Sequence, residues 1–123
     1  MILADTSVWI DHLRRPDADL NRLISTYSVL GHPFVTGEIA MGSLRNRTRV
    51  LGMLRRLGQM PVSREHEVLQ FVELHGLFGT GLSYIDVHLL AAIRMVPGAL
   101  LWTRDKRLRA AGSRFGVAAL HLH

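Results

Sequence analysis

Four carboxylates stand where a chain could bring them to one point. Asp5 follows the apolar run Ile2-Leu3-Ala4, Glu38 follows Phe34-Val35-Thr36, and Asp105 comes just after Ala99-Leu100-Leu101-Trp102-Thr103. Asp86 sits in the first turn of an apolar-periodic helix that feeds that last run. If these acids converge, like charges about 4 Å apart repel by roughly 4 kcal/mol per pair at an effective dielectric near 20, more than a small domain could carry uncompensated. A divalent cation is the simplest compensation. All-oxygen donors, with no cysteine and no recognisable ligand pair among the 7 histidines, select a hard ion, Mg²⁺ or Mn²⁺, over zinc. Such an ion would activate water and shield developing negative charge, so hydrolysis there would need no histidine or lysine base.

The other acids, Asp11, Asp17, Asp19, Glu65, Glu67 and Glu73, fall inside or at the start of helices away from the strand ends and read as solvated faces. His88 lies two residues beyond Asp86, about 200° around the helix, and so points away from that site. His121 and His123 read as a loose tail.

The elements that must position the acids follow from hydrophobic spacing. Ile2-Ala4 reads as a strand, Thr6 and Ser7 as hydroxyl caps, and Trp9, Ile10 and Leu13 as one helix ended by Pro16. Asp17 starts a second helix through Leu20, Leu23 and Ile24. Phe34-Thr36 reads as a strand and Ile39, Met41 and Leu44 as the helix after it, with Glu38 at its opening. Val50 to Leu57 predicts another helix, Met60-Pro61-Val62 a short edge strand, and Ser63 to Leu77 a further helix. Beyond the loop carrying Gly76, Gly79 and Gly81, the positions Ile85, Leu89, Ala92, Ile93 and Val96 form a helical stripe. Ala99-Thr103 is a continuous buried strand, a short helix through Leu108 and Ala111 follows, and Val117-Leu120 is a last strand. Alternating strands and helices predict an α/β fold, mostly parallel, with four to five short strands, in which functional groups gather beyond the carboxyl ends of the strands.

At 123 residues the chain has the size of a single domain, spanning 1–123. The absence of cysteine excludes disulfides, iron-sulfur clusters and thiol nucleophiles and suits a reducing compartment. Asp5 precedes any long apolar stretch, so the N-terminus is not expected to be a secretory signal, and no apolar run reaches the roughly 18 residues that span a bilayer. A soluble cytoplasmic protein is expected. Lys and Arg number 15 against 10 acids, for a net charge of +5, and every cation but Lys106 is an arginine. Arginine's planar fork suits phosphate. Arg45, Arg47 and Arg49 cluster beyond Glu38, while Arg104, Lys106, Arg107 and Arg109 surround Asp105, so basic charge is densest beside two of the four acids and could grip a polyanion.

Four segments carry a family resemblance: MILADTSVWIDHLR, TGEIAMGSLR, SYIDVHLLAA and LLWTRDKRL, in this order and spacing over nearly the full length. The chain resembles PIN-domain ribonucleases, and among them the VapC toxins of bacterial toxin-antitoxin pairs. The resemblance implies a three-layer α/β/α domain in which Asp5, Glu38, Asp86 and Asp105 bind one or two Mg²⁺ or Mn²⁺ ions and cut RNA. It places Thr6 and Ser7 beside the first acid, to orient it or a bound water, and maps Asp105 through Thr103-Arg104-Asp105. It further implies a homodimer and a cognate antitoxin that neutralises the acidic pocket. A housekeeping RNA-processing nuclease or a non-catalytic RNA- or protein-binding PIN-like module would share these features. A haloacid-dehalogenase-type phosphatase is disfavoured, because Ser7 stands where that chemistry wants a second aspartate.

Overall fold

The run Ile2–Ala4 is buried throughout and becomes β1, the strand from which a parallel sheet spreads to both sides. On one side it pairs with β2 (Val29–Gly31), with Ile2 opposite Val29. On the other it pairs with β4 (Leu100–Trp102), with Ala4 opposite Trp102. β3 (Gly58–Gln59) adds to the β2 edge, giving the order β3-β2-β1-β4. Parallel strands require helical crossovers and covered faces. The helices are α1 (Thr6–Arg14), α2 (Ala18–Ser25), α3 (Pro33–Ala40), α4 (Arg47–Arg56), α5 (Glu65–His75), α6 (Tyr84–Ile93) and α7 (Lys106–Arg114), completing the expected α/β/α architecture. This computed structural model describes residues 1–123.

The main core joins Leu3, Trp9, Leu20, Leu54, Leu90 and Trp102, and Val68, Leu77 and Val87 form a smaller cluster beneath α5 and α6. α6 departs from the expected single stripe. Val87, His88, Leu89, Leu90, Ala92 and Ile93 are all buried, so this helix is enclosed over much of its circumference, as a largely apolar helix must be.

Three strand expectations are corrected. Phe34-Val35-Thr36 is helical: Pro33 occupies the first turn of α3, where its fixed φ fits and its missing N–H costs nothing, and His32 Nδ1 accepts from Phe34 N at 3.0 Å as the cap. The strand is the preceding Val29–Gly31, and Glu38 therefore lies well inside a helix rather than at its opening. α3 ends at Ala40, so the expected helix through Met41 and Leu44 is absent, and Met41 is 85% exposed. The third strand pairs at Gly58–Gln59, before Met60-Pro61-Val62; Met60 N still donates to Gly31 O, and Pro61 has no N–H to continue the ladder. Val117-Leu120 makes only a single parallel bridge, Leu101 to Ala118, because Leu120 N and Leu122 N bond back to Ala118 O and Ala119 O and turn the chain aside.

Candidate active site

Asp5 extends the β1–β4 ladder by one bond, its N–H donating to Trp102 O at 3.0 Å, and then caps α1. Its Oδ1 accepts from Val8 N at 3.3 Å and from Ser7 Oγ at 2.5 Å, and its Oδ2 accepts from Thr103 Oγ1 at 2.5 Å. The cap is thus Asp5 itself. The Ser7 hydroxyl, expected to cap the helix, instead donates to the acid. Asp5 is only 6% exposed. Burial pushes its carboxyl above the usual range, the bonds from Ser7, Thr103 and Val8 oppose that rise, and the charge of Asp86 adds to it.

The β4–α7 turn is tied to this carboxylate. Thr103, buried, donates to Asp5 and accepts from Asp105 N at 3.0 Å. Asp105 caps α7, its Oδ1 accepting from Arg107 N at 2.9 Å and Leu108 N at 3.0 Å. Arg104 N donates to Ser7 Oγ at 3.0 Å. One hydrogen-bonded unit therefore links the two adjacent strand ends that carry Asp5 and Asp105.

Asp86 is held at the start of α6 by a reciprocal cap, Ser83 Oγ accepting from Asp86 N at 3.1 Å and Asp86 Oδ2 accepting from Ser83 N at 3.0 Å. Glu38 stands apart. It is exposed on α3 and lines a groove of about 560 Å³ with Ile10, Leu13, Arg14, Leu44 and Arg45. Ser7 and Thr103 bond the Asp5 carboxylate directly, Asp105 joins them only through its main-chain N–H on Thr103 while its carboxylate caps α7, Asp86 reaches Asp5 through its field, and Glu38 opens on the groove. Thr6 makes no comparable bond to Asp5, whose side-chain donors are Ser7 and Thr103.

The cations divide into engaged and free. The ion pairs are Arg22–Asp19, Arg104–Asp11 and Arg104–Asp17, so none of the four candidate acids is paired with a basic side chain. Asp11 and Asp17, read as solvated faces, instead hold Arg104 at 2.8 Å each, and this arginine, expected among the RNA contacts, has four of its five N–H groups already engaged. Arg47, also expected to meet RNA, closes the end of α3 by donating to Ala40 O and Gly42 O, and Arg109 donates to Leu120 O and Leu122 O. Arg45, Lys106 and Arg107 are exposed and form no ion pair. Arg107 packs over Gly81: a Cβ there would meet its guanidinium at 2.6 Å, and Gly81 sits at φ +84. The guanidinium is thereby held against the loop that leads to Asp86.

Two histidines are buried, His88 on α6 and His32, which nothing in the sequence singled out. His32, fully buried, leaves Nε2 without a partner, and His88 leaves Nδ1 likewise. They flank Phe34 edge to face, with centroids 5.3 and 4.6 Å away, which places His88 in an aromatic cluster between α3 and α6.

No three carboxylate or imidazole groups come close enough to enclose one ion. The donor set still suits a hard cation. Asp5 is buried, destabilised as an anion and further repelled by Asp86, with no positive side chain paired to either. Mg²⁺ in particular keeps several waters and is commonly held by one or two carboxylates, so it does not require a protein cage. The Asp5–Asp86 pair fits that mode, with Asp105 tied to Asp5 through Thr103.

No protein-family model matches the chain. It is 49% identical over 118 residues, covering 96% of its own length and 95% of theirs, to Ribonuclease VapC32 of Mycobacterium tuberculosis from strains CDC 1551 / Oshkosh and ATCC 25618 / H37Rv. Its fold is similar to the crystal structure of PAE2754 from Pyrobaculum aerophilum, with a TM-score of 0.59 and 16% identity over 89% of this chain and 82% of that one. The four motifs, the parallel sheet with Asp5 at its central strand end, and near full-length identity at this level agree: the chain belongs to the VapC family of PIN-domain ribonucleases.

Proposed function

We propose that this protein is an endoribonuclease toxin that hydrolyses RNA phosphodiester bonds with Mg²⁺ or Mn²⁺ and is restrained by a cognate antitoxin. The observation that carries the reading is the buried Asp5 carboxylate, repelled by Asp86 and paired with no cation in a chain of net charge +5. The ribonuclease relatives support it.

Asp5 and Asp86, with Asp105 and Glu38, would hold one or two ions; when bound, such an ion lowers the pKa of water and shields charge on a phosphodiester. The chain's own residues do the rest. Ser7 and Thr103 fix both oxygens of Asp5, so the carboxylate has one orientation and no rotamer search is needed at reaction. Arg107 and Lys106 beside Asp105, and Arg45 beside Glu38, supply free charge for the RNA backbone. The groove that Glu38 lines carries exposed Ile10 on its wall, an apolar surface of the kind an antitoxin segment or a second copy in a homodimer would cover.

The test is cleavage of labelled RNA with Mg²⁺ or Mn²⁺, with and without chelator, by the wild type and by Asp5→Asn and Asp86→Asn. Chelator should abolish cutting, and each substitution should remove nearly all of it. Robust cutting in chelator would overturn the mechanism.

A further inference from the structure

We propose that Arg104 is a positioning residue for the Asp5 carboxylate, acting through Ser7, and that it does not bind RNA. The inference rests on the ribonuclease reading of the same site. The Arg104 side chain ties four segments together. Its guanidinium donates to Asp11 Oδ2 on α1 at 2.8 Å, to Asp17 Oδ2 at the cap of α2 at 2.8 Å, and to the His123 carbonyl at 3.1 Å and 3.4 Å. The guanidinium carbon also lies 5.5 Å from the centre of the Trp102 ring. Four of the five N–H groups are taken, which leaves one on Nη1 and no free pair for a two-pronged phosphate contact.

What the clamp holds still is the backbone of the β4–α7 turn. Arg104 N donates to Ser7 Oγ at 3.0 Å, and Ser7 Oγ donates to Asp5 Oδ1 at 2.5 Å. A hydroxyl has one proton and two lone pairs. With an N–H occupying one lone pair, the proton has a single favourable direction, toward Asp5. If the turn loosens, that lone pair is vacated, the hydroxyl rotates freely and the buried carboxylate loses a bond that fixes it. Exposed ion pairs are individually worth little. Here one planar fork spans two carboxylates on different helices, a geometry that a lysine's point charge cannot reproduce.

The experiment compares Arg104→Gln, Arg104→Lys, Ser7→Ala, the Arg104→Gln/Ser7→Ala double variant and Arg107→Gln. Single-stranded RNA is used as probe, and binding is measured in chelator across salt concentrations. Arg104→Gln is expected to lower kcat by about 10- to 100-fold, the scale of a misplaced reacting group, with KM within about two-fold of wild type. Its binding should keep the wild-type salt slope, whereas Arg107→Gln should reduce the slope by about 0.7, the loss of one phosphate contact on a single strand. Ser7→Ala should reproduce the kcat loss, and the double variant should be no worse than about two-fold below either single, since both cut the same connection. Arg104→Lys should recover only part of kcat. Should Arg104→Gln fold poorly, Asp11→Asn, at the exposed end of the clamp, gives the milder cut and is expected to lower kcat with KM and salt slope unchanged. A reduced salt slope with a raised KM in Arg104→Gln, unaltered kcat, or multiplicative losses in the double variant would each overturn the proposal. A wild type inert on RNA would remove the ribonuclease reading itself, and this inference with it.

Discussion

Asp5→Asn separates the cost of the acidic site from its use. The substitution preserves the α1 cap, because asparagine ranks with aspartate at that position, and it keeps an oxygen for Ser7 Oγ and Val8 N. The amide nitrogen would replace the oxygen facing Thr103, whose hydroxyl must reverse, at a cost of about 1 kcal/mol. Against that stands relief of a buried charge. The folded-state pKa of Asp5 is raised above 3.8, so the folded protein holds this proton more tightly than the unfolded chain does. Stability consequently falls as pH climbs from 3.8 through the raised value, and the loss is complete above it. The two effects oppose, and in chelator near neutral pH the variant should melt within about 4 °C of wild type, the shift equivalent to about 1 kcal/mol at this size.

Metal should part the two proteins. An ion at 100 times its dissociation constant stabilises by about 2.7 kcal/mol. Unfolding entropy of about 2.1 cal/mol/K per residue over 123 residues turns that into a rise of about 10 °C in wild type. Asp5→Asn should show little of it. Differential scanning fluorimetry with chelator, Mg²⁺ and Mn²⁺ reads both arms. Equal metal shifts in the two proteins, or none in wild type at millimolar metal, would refute the reasoning.

Thr103→Val strands Asp5 Oδ2 and Asp105 N together, so urea unfolding should show a loss of about 1–3 kcal/mol alongside slower cleavage; no change in either would mean the bridge is idle. His32 is lowered to about 4, chiefly by burial and further by His88, so the unfolded chain takes the proton first. Its contribution to stability is complete above about 6.5 and is lost as pH falls toward about 4, amounting to at most roughly 3 kcal/mol. His32→Asn, which retains an acceptor for Phe34 N, should flatten the melting-temperature profile between pH 7 and 4.5, and a profile parallel to wild type would contradict this. Gly81→Ala should cost about 1–2 kcal/mol for its left-handed backbone and displace Arg107, weakening RNA binding by fluorescence anisotropy; full affinity would remove Arg107 from the RNA path.

Asp5, Asp86 and Asp105 were legible because local rules place them. Two follow buried apolar runs that end β1 and β4, and the third answers Ser83 in a four-residue capping box. Phe34-Val35-Thr36 misled because a short run of aromatic and β-branched residues has no periodicity that distinguishes strand from helix. Pro33 at the first helical turn, with His32 as cap, was the signal that could have corrected it. The fates of the arginines had no local signature. Arg104 meets Asp11 and Asp17 across 93 and 87 residues, so which acids it neutralises depends on how α1, α2 and the β4–α7 turn dock. Residue type and spacing determined that this protein carries carboxylates at strand ends and excess arginine; only the tertiary structure decided which charges cancel and which stay free, because Coulomb energy depends on separation in space and burial, neither of which is written in sequence distance.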